Sequence, residues 1–516
     1  MSRELVSRRH PDWAEHHMRW RWLADSLEGG ERYRWAVYGT DSRGLPARNL
    51  LRHKREYPSP GQAPAASWVS LTSTPTGAAT DDDYTLRLIR TPVPDMVSES
   101  IRKHLGRIYR HEVRRSGPDE YLAWAADVDR SGDQVDDWMR QTVAPQLLAV
   151  GCLDVLIDHP PAPDGVTVRS RSDRERAGLD AAVARVVPAW DVVWWSLNLD
   201  RTYNEVLVRE SAEESGRLVD RYRYWDSEGW ALYDSGGDKL ASGPHPYGRV
   251  PMVRLFVARS HRCEHVGLSP LEGVAERQRE YYNRDSELIL SDVLQAHPLL
   301  QGPPPEEDGT ISIGPQWLLA MRETRSASGV DYVGYSYVDP PKGAADSIRA
   351  NLDRIRDEVD RSQGMSRPAG STIGTVAQSG VSKAYDHATY NDLLCGLADA
   401  LQLAEVKIGR LACIVATDGR SDGDGVVVTY SKRFDLRSGD ELAATLAAFQ
   451  DALQTAGRAP DTETRVLMLI VREDLLPGLT DVEYAEIERE IRAAVESGDP
   501  LAREGVMTRV TEGSNV

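Results

Sequence analysis

The sequence predicts an α+β protein: a body of mixed helix and strand, then unusually long helices around a small stranded excursion. Three observations carry this. All thirteen Trp lie at or before Trp317, so the last 199 of the 516 residues have none. Apolar strand-like runs punctuated by Gly and Pro follow one another from Cys152 to Gly248. Two segments, 269–297 and 343–363, space their apolar residues for a helix, with charge on most of the remaining surface.

The bulk numbers bound the answer. A chain of 516 residues holds material for about three domains. Apolar residues at 41% and charged residues at 28% are ordinary for a packed protein. The run 466–471 is only six apolar residues long, far short of the roughly eighteen a membrane helix needs. The first twenty residues carry four Arg and no apolar stretch, so no secretory signal is expected. Cys152, Cys263, Cys395 and Cys413 are too few for a disulfide framework and point to a reducing cytoplasm.

The net charge of −18 argues against an open surface that grips nucleic acid, since such surfaces are basic. Residues 1–60 carry twelve Lys and Arg against eight acids, and residues 436–516 carry eight against sixteen. Opposite balances at the two ends fit a protein with two different neighbours.

In chain order, 10–27 reads as an amphipathic helix with Trp13, His17, Trp20 and Ala24 on one stripe, and 57–80 as loop. Helices are expected at 96–115 and 133–150, and a buried strand at 152–158 ended by Pro160 and Pro161. Residues 161–182 read as an exposed polar excursion. Strands are expected at 186–195, 205–210 and 221–225, with turns at Gly229, Gly236, Gly237 and Gly248, as in an antiparallel sheet. Ser269 and Pro270 open a helix as N-cap and first helical residue. Running to His297, it would be about 43 Å long, with a seam of Leu271, Val274, Tyr281 and Leu288 too narrow to bury it in a globule. Strand-like runs at 317–321 and 332–338 follow. A second helix at 343–363 carries Ile348, Leu352, Ile355 and Val359 on one face, with Arg349, Asp353, Arg356 and Asp360 on a face opposite. A Gly/Ser/Thr/Ala segment precedes a long helix from about Lys383 to Thr417; a strand at 426–430 and helices at 438–456 and 480–497 complete the chain.

Several stretches, in this order, resemble the portal proteins of tailed bacteriophages, the head–tail connectors, and especially their long-tailed branch. They are Val128-Asp129-Arg130-Ser131-Gly132 with Gly151 to Pro160, then Gly248 to Phe256 leading into Gly267-Leu268-Ser269-Pro270, then Ala377-Gln378-Ser379-Gly380-Val381-Ser382-Lys383-Ala384. The resemblance covers some 370 residues, and no one stretch is as specific as a metal-ligand motif. It implies a portal fold with an α/β wing at 1–266, stem helices at 267–297 and 341–363, and a small β-containing clip at 298–340. A tunnel loop at 364–384, a wing return at 385–435 and a helical crown at 436–516 complete it. It implies a ring of twelve copies at one capsid vertex, assembled in the host cytoplasm, through which double-stranded DNA is packaged and ejected without sequence specificity. Further implied partners are the terminase large subunit, a head–tail adaptor, and the major capsid and scaffolding proteins; no membrane and no cofactor are implied. Arg367, Lys383, Arg349 and Arg356 are the expected DNA-channel residues, and Trp317, Leu318, Leu319, Tyr332 and Tyr335 the expected clip interface.

Motifs for other chemistry fall short. Asp127 to Asp133 begins like a calcium loop, but position nine is Val135 and position twelve, where a bidentate Glu belongs, is Trp138; a turn before a helix is expected. His261, Cys263 and His265 lack the second ligand pair of a zinc site. The stretch from Gly374 to Gly380 has five residues between its glycines and Val381 where a phosphate-binding Lys belongs. No Gly-x-Ser-x-Gly or His-Glu-x-x-His occurs, and runs such as Asp81-Asp82-Asp83 and Asp136-Asp137 do not define a catalytic pair. The chain is therefore expected not to be an enzyme. The rival readings are a hydrolase-type enzyme without a readable motif and a different head–tail adaptor.

Overall fold

The computed structural model describes residues 2–41, 44–52, 83–160, 171–177, 179–296, 299–301, 322–326, 329–333, 336–338, 342–364, 380–432, 434, 464, 468 and 481–497. Helix and sheet are mixed, as an α+β chain requires. Two compact units emerge: Met1–Leu27, Ser98–Glu272 and Gln363–Val516 form one, and Glu28–Val97 with Gly273–Ser362 the other.

The first unit is built on two antiparallel sheets. Strands Val192–Leu197, Tyr203–Glu214, Arg217–Trp225, Gly229–Asp234 and Lys239–Pro244 form a five-stranded meander in chain order. Glu214 pairs with Arg217, so the hairpin turns on Ser215 and Gly216 alone, at φ 51° and 76°. Two successive positive φ angles match the right-handed twist of the strands. The short helix Ser2–Ser7 lays Val6 on Val193, Leu207 and Tyr222, and from the helix Pro11–Glu28 the Trp13 Nε1–H donates to the Trp190 carbonyl at 2.8 Å.

The second sheet orders Val183–Val187, Cys152–Asp158 and Met252–Phe256, all antiparallel. The one strand expected at 186–195 is two strands in two sheets. Pro188, with no N–H to give a ladder, and the 3₁₀ turn Ala189–Asp191 separate them. The helix expected at 96–115 also divides. It runs Met96–Ile108, and Arg114–Ser116 pairs with Val427–Thr429. Pro118 follows closely, and proline biases the residue before it to extended backbone.

From Val135 to Val150 the chain is helical, with a π turn at Met139–Val143 just before Pro145. Pro145 has no N–H to bond back four residues, and the wider turn accommodates this. Gly151 ends the helix at φ 88°, and a Cβ there would lie 2.4 Å from the backbone of Leu268 and Ser269. Glycine is required there twice over. Gly267 is its counterpart, since a Cβ on it would lie 2.2 Å from the Gly151 oxygen.

The helix Gly380–Ala416 buries Leu394, Leu397, Leu401, Ala404, Ile408 and Val415 at helical spacing. It begins three residues before Lys383, so the end of the segment expected as loop at 364–384 is helical. Residues 438–456 and 57–80 lie outside the described residues; 481–496 is the helix Asp481–Glu496, whose Tyr484 hydroxyl accepts from Arg114 at 3.1 Å.

The second unit is organised by the helices Glu272–Ala296 and Lys342–Ser362. At 25 residues the first is about 37 Å long. It starts at Glu272 because Ser269 Oγ accepts from the Leu271 N–H at 3.0 Å while its hydroxyl donates to the Leu148 carbonyl. Leu271 and Val274 of the expected seam are buried, but the buried line then continues through Ala275, Gln278, Tyr282 and Ser286, and the expected Tyr281 and Leu288 are only half-buried. The polar members have backbone work, since Gln278 Oε1 accepts from the Val97 N–H at 2.9 Å. Asn283 accepts from the Leu51 N–H and donates to the Asn49 carbonyl. Tyr282 packs in a cluster with Tyr33, Leu50, Tyr84 and Leu88. No described helix is long and apolar enough to cross a membrane.

Candidate functional site

The paired long helices carry two of the four expected channel residues, Arg349 and Arg356. Their cross-contacts run in opposite directions: Arg349 meets Asp292 at 2.9 Å, Arg354 meets Glu280 at 3.7 Å, and Arg277 meets Glu358 at 3.2 Å. The helices are therefore antiparallel. Beyond their ends, Leu299–Gln301 and Ser336–Val338 pair antiparallel and continue the hairpin as a ladder. Of the expected stripe, Leu352, Ile355 and Val359 are buried and Ile348 is half-buried, and Ala345 extends the buried line.

The face expected opposite that stripe is placed differently. At about 100° per residue, Arg349 and Arg356 lie a quarter-turn from it, which sets them beside the first helix. The Arg356 guanidinium lies 4.9 Å over the Tyr281 ring, and Arg349 holds both Asp292 and Asp346. On the other flank Arg354 pairs with Glu358 and Glu280. The first helix carries three Arg against six acids, and the second four Arg and one Lys against five. Arg277, Arg284, Arg349 and Arg354 thus each have an acid within ion-pair distance.

Of the other expected site residues, Lys383 lies in the first turn of Gly380–Ala416, and Tyr332 lies in the strand Gly329–Val333, in register with Glu323. Arg367, Trp317, Leu318, Leu319 and Tyr335 lie outside the described residues. The single strand expected at 332–338 is two: Gly329–Val333 in a hairpin with Arg322–Ser326, and Ser336–Val338 in the ladder. In the first unit, Gly364 at φ 65° sits so close to Tyr390 that a Cβ would lie 3.1 Å from its Cα. The preceding Gln363 holds the buried His104 ring at 3.0 Å.

Sequence reasoning missed two buried ionic networks in the first unit. Asp154 and Arg254 face each other in register across the three-stranded sheet, both side chains fully buried, with Nη2 to Oδ2 at 2.6 Å. The Arg254 Nη1 donates to the His265 carbonyl at 3.0 Å, the Tyr203 hydroxyl donates to Asp154 at 2.6 Å, and Trp195 lies 5.0 Å from the guanidinium. The Asp154 and Arg254 strands belong to two of the stretches that carry the portal resemblance. In the second network Glu405, fully buried on the long helix, accepts from Arg115 at 2.6 Å, Tyr430 at 2.8 Å and Tyr121 at 3.2 Å. It ties the Gly380–Ala416 helix to the strand Arg114–Ser116.

The other motifs have structural roles. Asp129 accepts from both the N–H and the hydroxyl of Ser131, and Asp127 from the Gly132 N–H, forming a turn before the helix at Val135. His265 is packed among Trp195, Tyr203 and Phe256. Burial, with the nearby Arg254 and Arg259 cations, pulls its pKa down to about 2, so the ring is neutral. Among the described residues no group of three His, Cys, Asp or Glu could hold a metal.

No family model matches the chain, and no curated protein matches it. Among solved structures it is similar to the neck of a native GTA particle computed with C12 symmetry, at 13% identity and a TM-score of 0.35, covering 72% of this chain and 89% of that one. It is similar also to the neck of an empty GTA particle computed with C6 symmetry, at 14% identity, a TM-score of 0.35 and the same coverage. At that TM-score the likeness does not define the fold.

Proposed function

We propose that the chain is a subunit of a portal ring, a non-enzymatic conduit through which a separate motor drives double-stranded DNA into a capsid and from which the genome later leaves. The observation that carries this is the antiparallel pair of long helices, charge-compensated along both flanks, with a small stranded excursion between them. A hairpin about 37 Å long, covered on one line and charged elsewhere, suits side-by-side repetition. Duplex DNA carries one charge per roughly 1.7 Å, so such a wall would face about 22 phosphates. A wall that neutralised them all would hold the duplex. Arginines already engaged by acids leave only weak contacts for a sliding polyanion. In this reading Arg367 and Lys383 supply the few phosphate contacts of the loop, 298–340 meets the terminase and later the adaptor, and ATP hydrolysis belongs to the terminase.

Negative-stain images of the purified protein, and of rings recovered from capsids, test the reading. End-on rings with a central hole support it. Compact particles without a hole from both sources overturn it.

A further inference from the structure

Beside the buried Asp154–Arg254 network, the first unit contains a cavity of about 420 Å³, within the size range of small-ligand pockets. Three separated stretches wall it: the start of the strand Tyr203–Glu214, the strand Met252–Phe256 with its flanks, and the last turns of the Gly380–Ala416 helix with the turn after it. Gly423 presses that turn onto Arg410, where a Cβ would lie 2.7 Å from the Arg410 Cα.

The charges around the cavity are unevenly matched. Arg410 has Asp424 at 4.0 Å and Arg201 has Glu264 at 3.6 Å. Arg249, Arg259 and Lys407 have no carboxylate within ion-pair distance among the described residues, and the Arg259 guanidinium rests 4.6 Å over the Phe256 ring. The acids on the rim are engaged in their own turns: Asp200 accepts from the N–H and hydroxyl of Thr202, and Asp422 from the Asp424 N–H. Lys407 is half-buried. Burial and the Arg259 cation hold its pKa below the usual lysine value. An ammonium placed in a partly dry cavity beside other cations, with no anion of its own, is stabilised by an incoming one. Arg254, Tyr203 and His265 also reach the lining from the buried network, and Met252, Phe256, Leu411 and Ile414 form an apolar part of it.

We propose that this cavity binds a small organic oxyanion, a phosphate or carboxylate head on an apolar body, with Lys407 and Arg259 taking the head and Met252, Phe256, Leu411 and Ile414 the body. A duplex phosphate backbone fits less well, because it needs an open cationic surface and brings no apolar group. Calorimetric titration of the full chain at fixed ionic strength tests this, with inorganic phosphate, phenyl phosphate and phenylacetate as probes. The expected result is saturable binding, with phenyl phosphate about tenfold tighter than inorganic phosphate through burial of its ring. Lys407→Met should weaken binding about tenfold or more by removing a charge-assisted contact. Arg259→Gln, at an exposed position that leaves folding intact, should weaken it several-fold, and Lys103→Met, paired with Glu99 elsewhere, not at all. The relative affinity of phenyl phosphate and phenylacetate assigns the head. Absence of saturable binding for all three probes, or unchanged affinity in Arg259→Gln and in a folded Lys407→Met, overturns the proposal.

Discussion

In the first unit Arg254 and Asp154 are both 0% exposed, joined by three short contacts and enclosed by Tyr203 and Trp195. In the second, Arg349 and Asp292 meet at a similar 2.9 Å with each side chain 49% exposed. The chemistry is the same and the surroundings are not. The buried pair was desolvated on folding, so its partners must stay together. The exposed pairs can exchange partners and are screened by salt. The contrast separates a body held in one geometry from a helix pair whose ion pairs are exposed and exchangeable.

Breaking the buried pair should have the largest effect. Arg254→Met leaves Asp154 an uncompensated charge in the core, and removing one partner of a buried pair costs about 3–5 kcal/mol. Ten of the thirteen Trp belong to the first unit, so the tryptophan fluorescence of urea denaturation follows it. The midpoint should fall steeply, and a loss under about 1 kcal/mol would erase the contrast with the exposed pairs. Next comes Gly151→Ala, which combines positive φ with a close backbone crossing. A cost of at least about 2 kcal/mol is expected in the same assay, whereas the wild-type midpoint would show that the crossing opens freely. Arg349→Ala should be the smallest, under about 1 kcal/mol and smaller still at high salt; a large, salt-independent loss would mean the helix pair depends on it.

The sequence made some of this legible. Helices at 11–28, 342–362 and 380–416 follow from local spacing, because residues such as Leu352, Ile355 and Val359 report their own burial. The buried side of the Glu272–Ala296 helix was not legible, since Gln278 and Ser286 look like surface residues. Gln278 is buried because it satisfies the Val97 N–H, far away in sequence. Asp154 likewise reads as an odd acid in a buried strand until Arg254, a hundred residues on, is placed beside it. The cavity around Lys407 needs three distant stretches to converge, and a charge-balanced face needs the neighbouring helix to be known. Period and turn residues act locally; pairing across the chain does not show in one sequence.

The most direct test of the proposed ring is its mass in solution, measured by light scattering on the chain recovered from capsids and on the purified chain at rising concentration. Twelve copies of 57.3 kDa come to about 690 kDa. A closed species near that mass, retained in Arg349→Ala and showing no ATP hydrolysis, is the predicted result. A single species at the mass of a monomer or dimer from both sources would contradict the account.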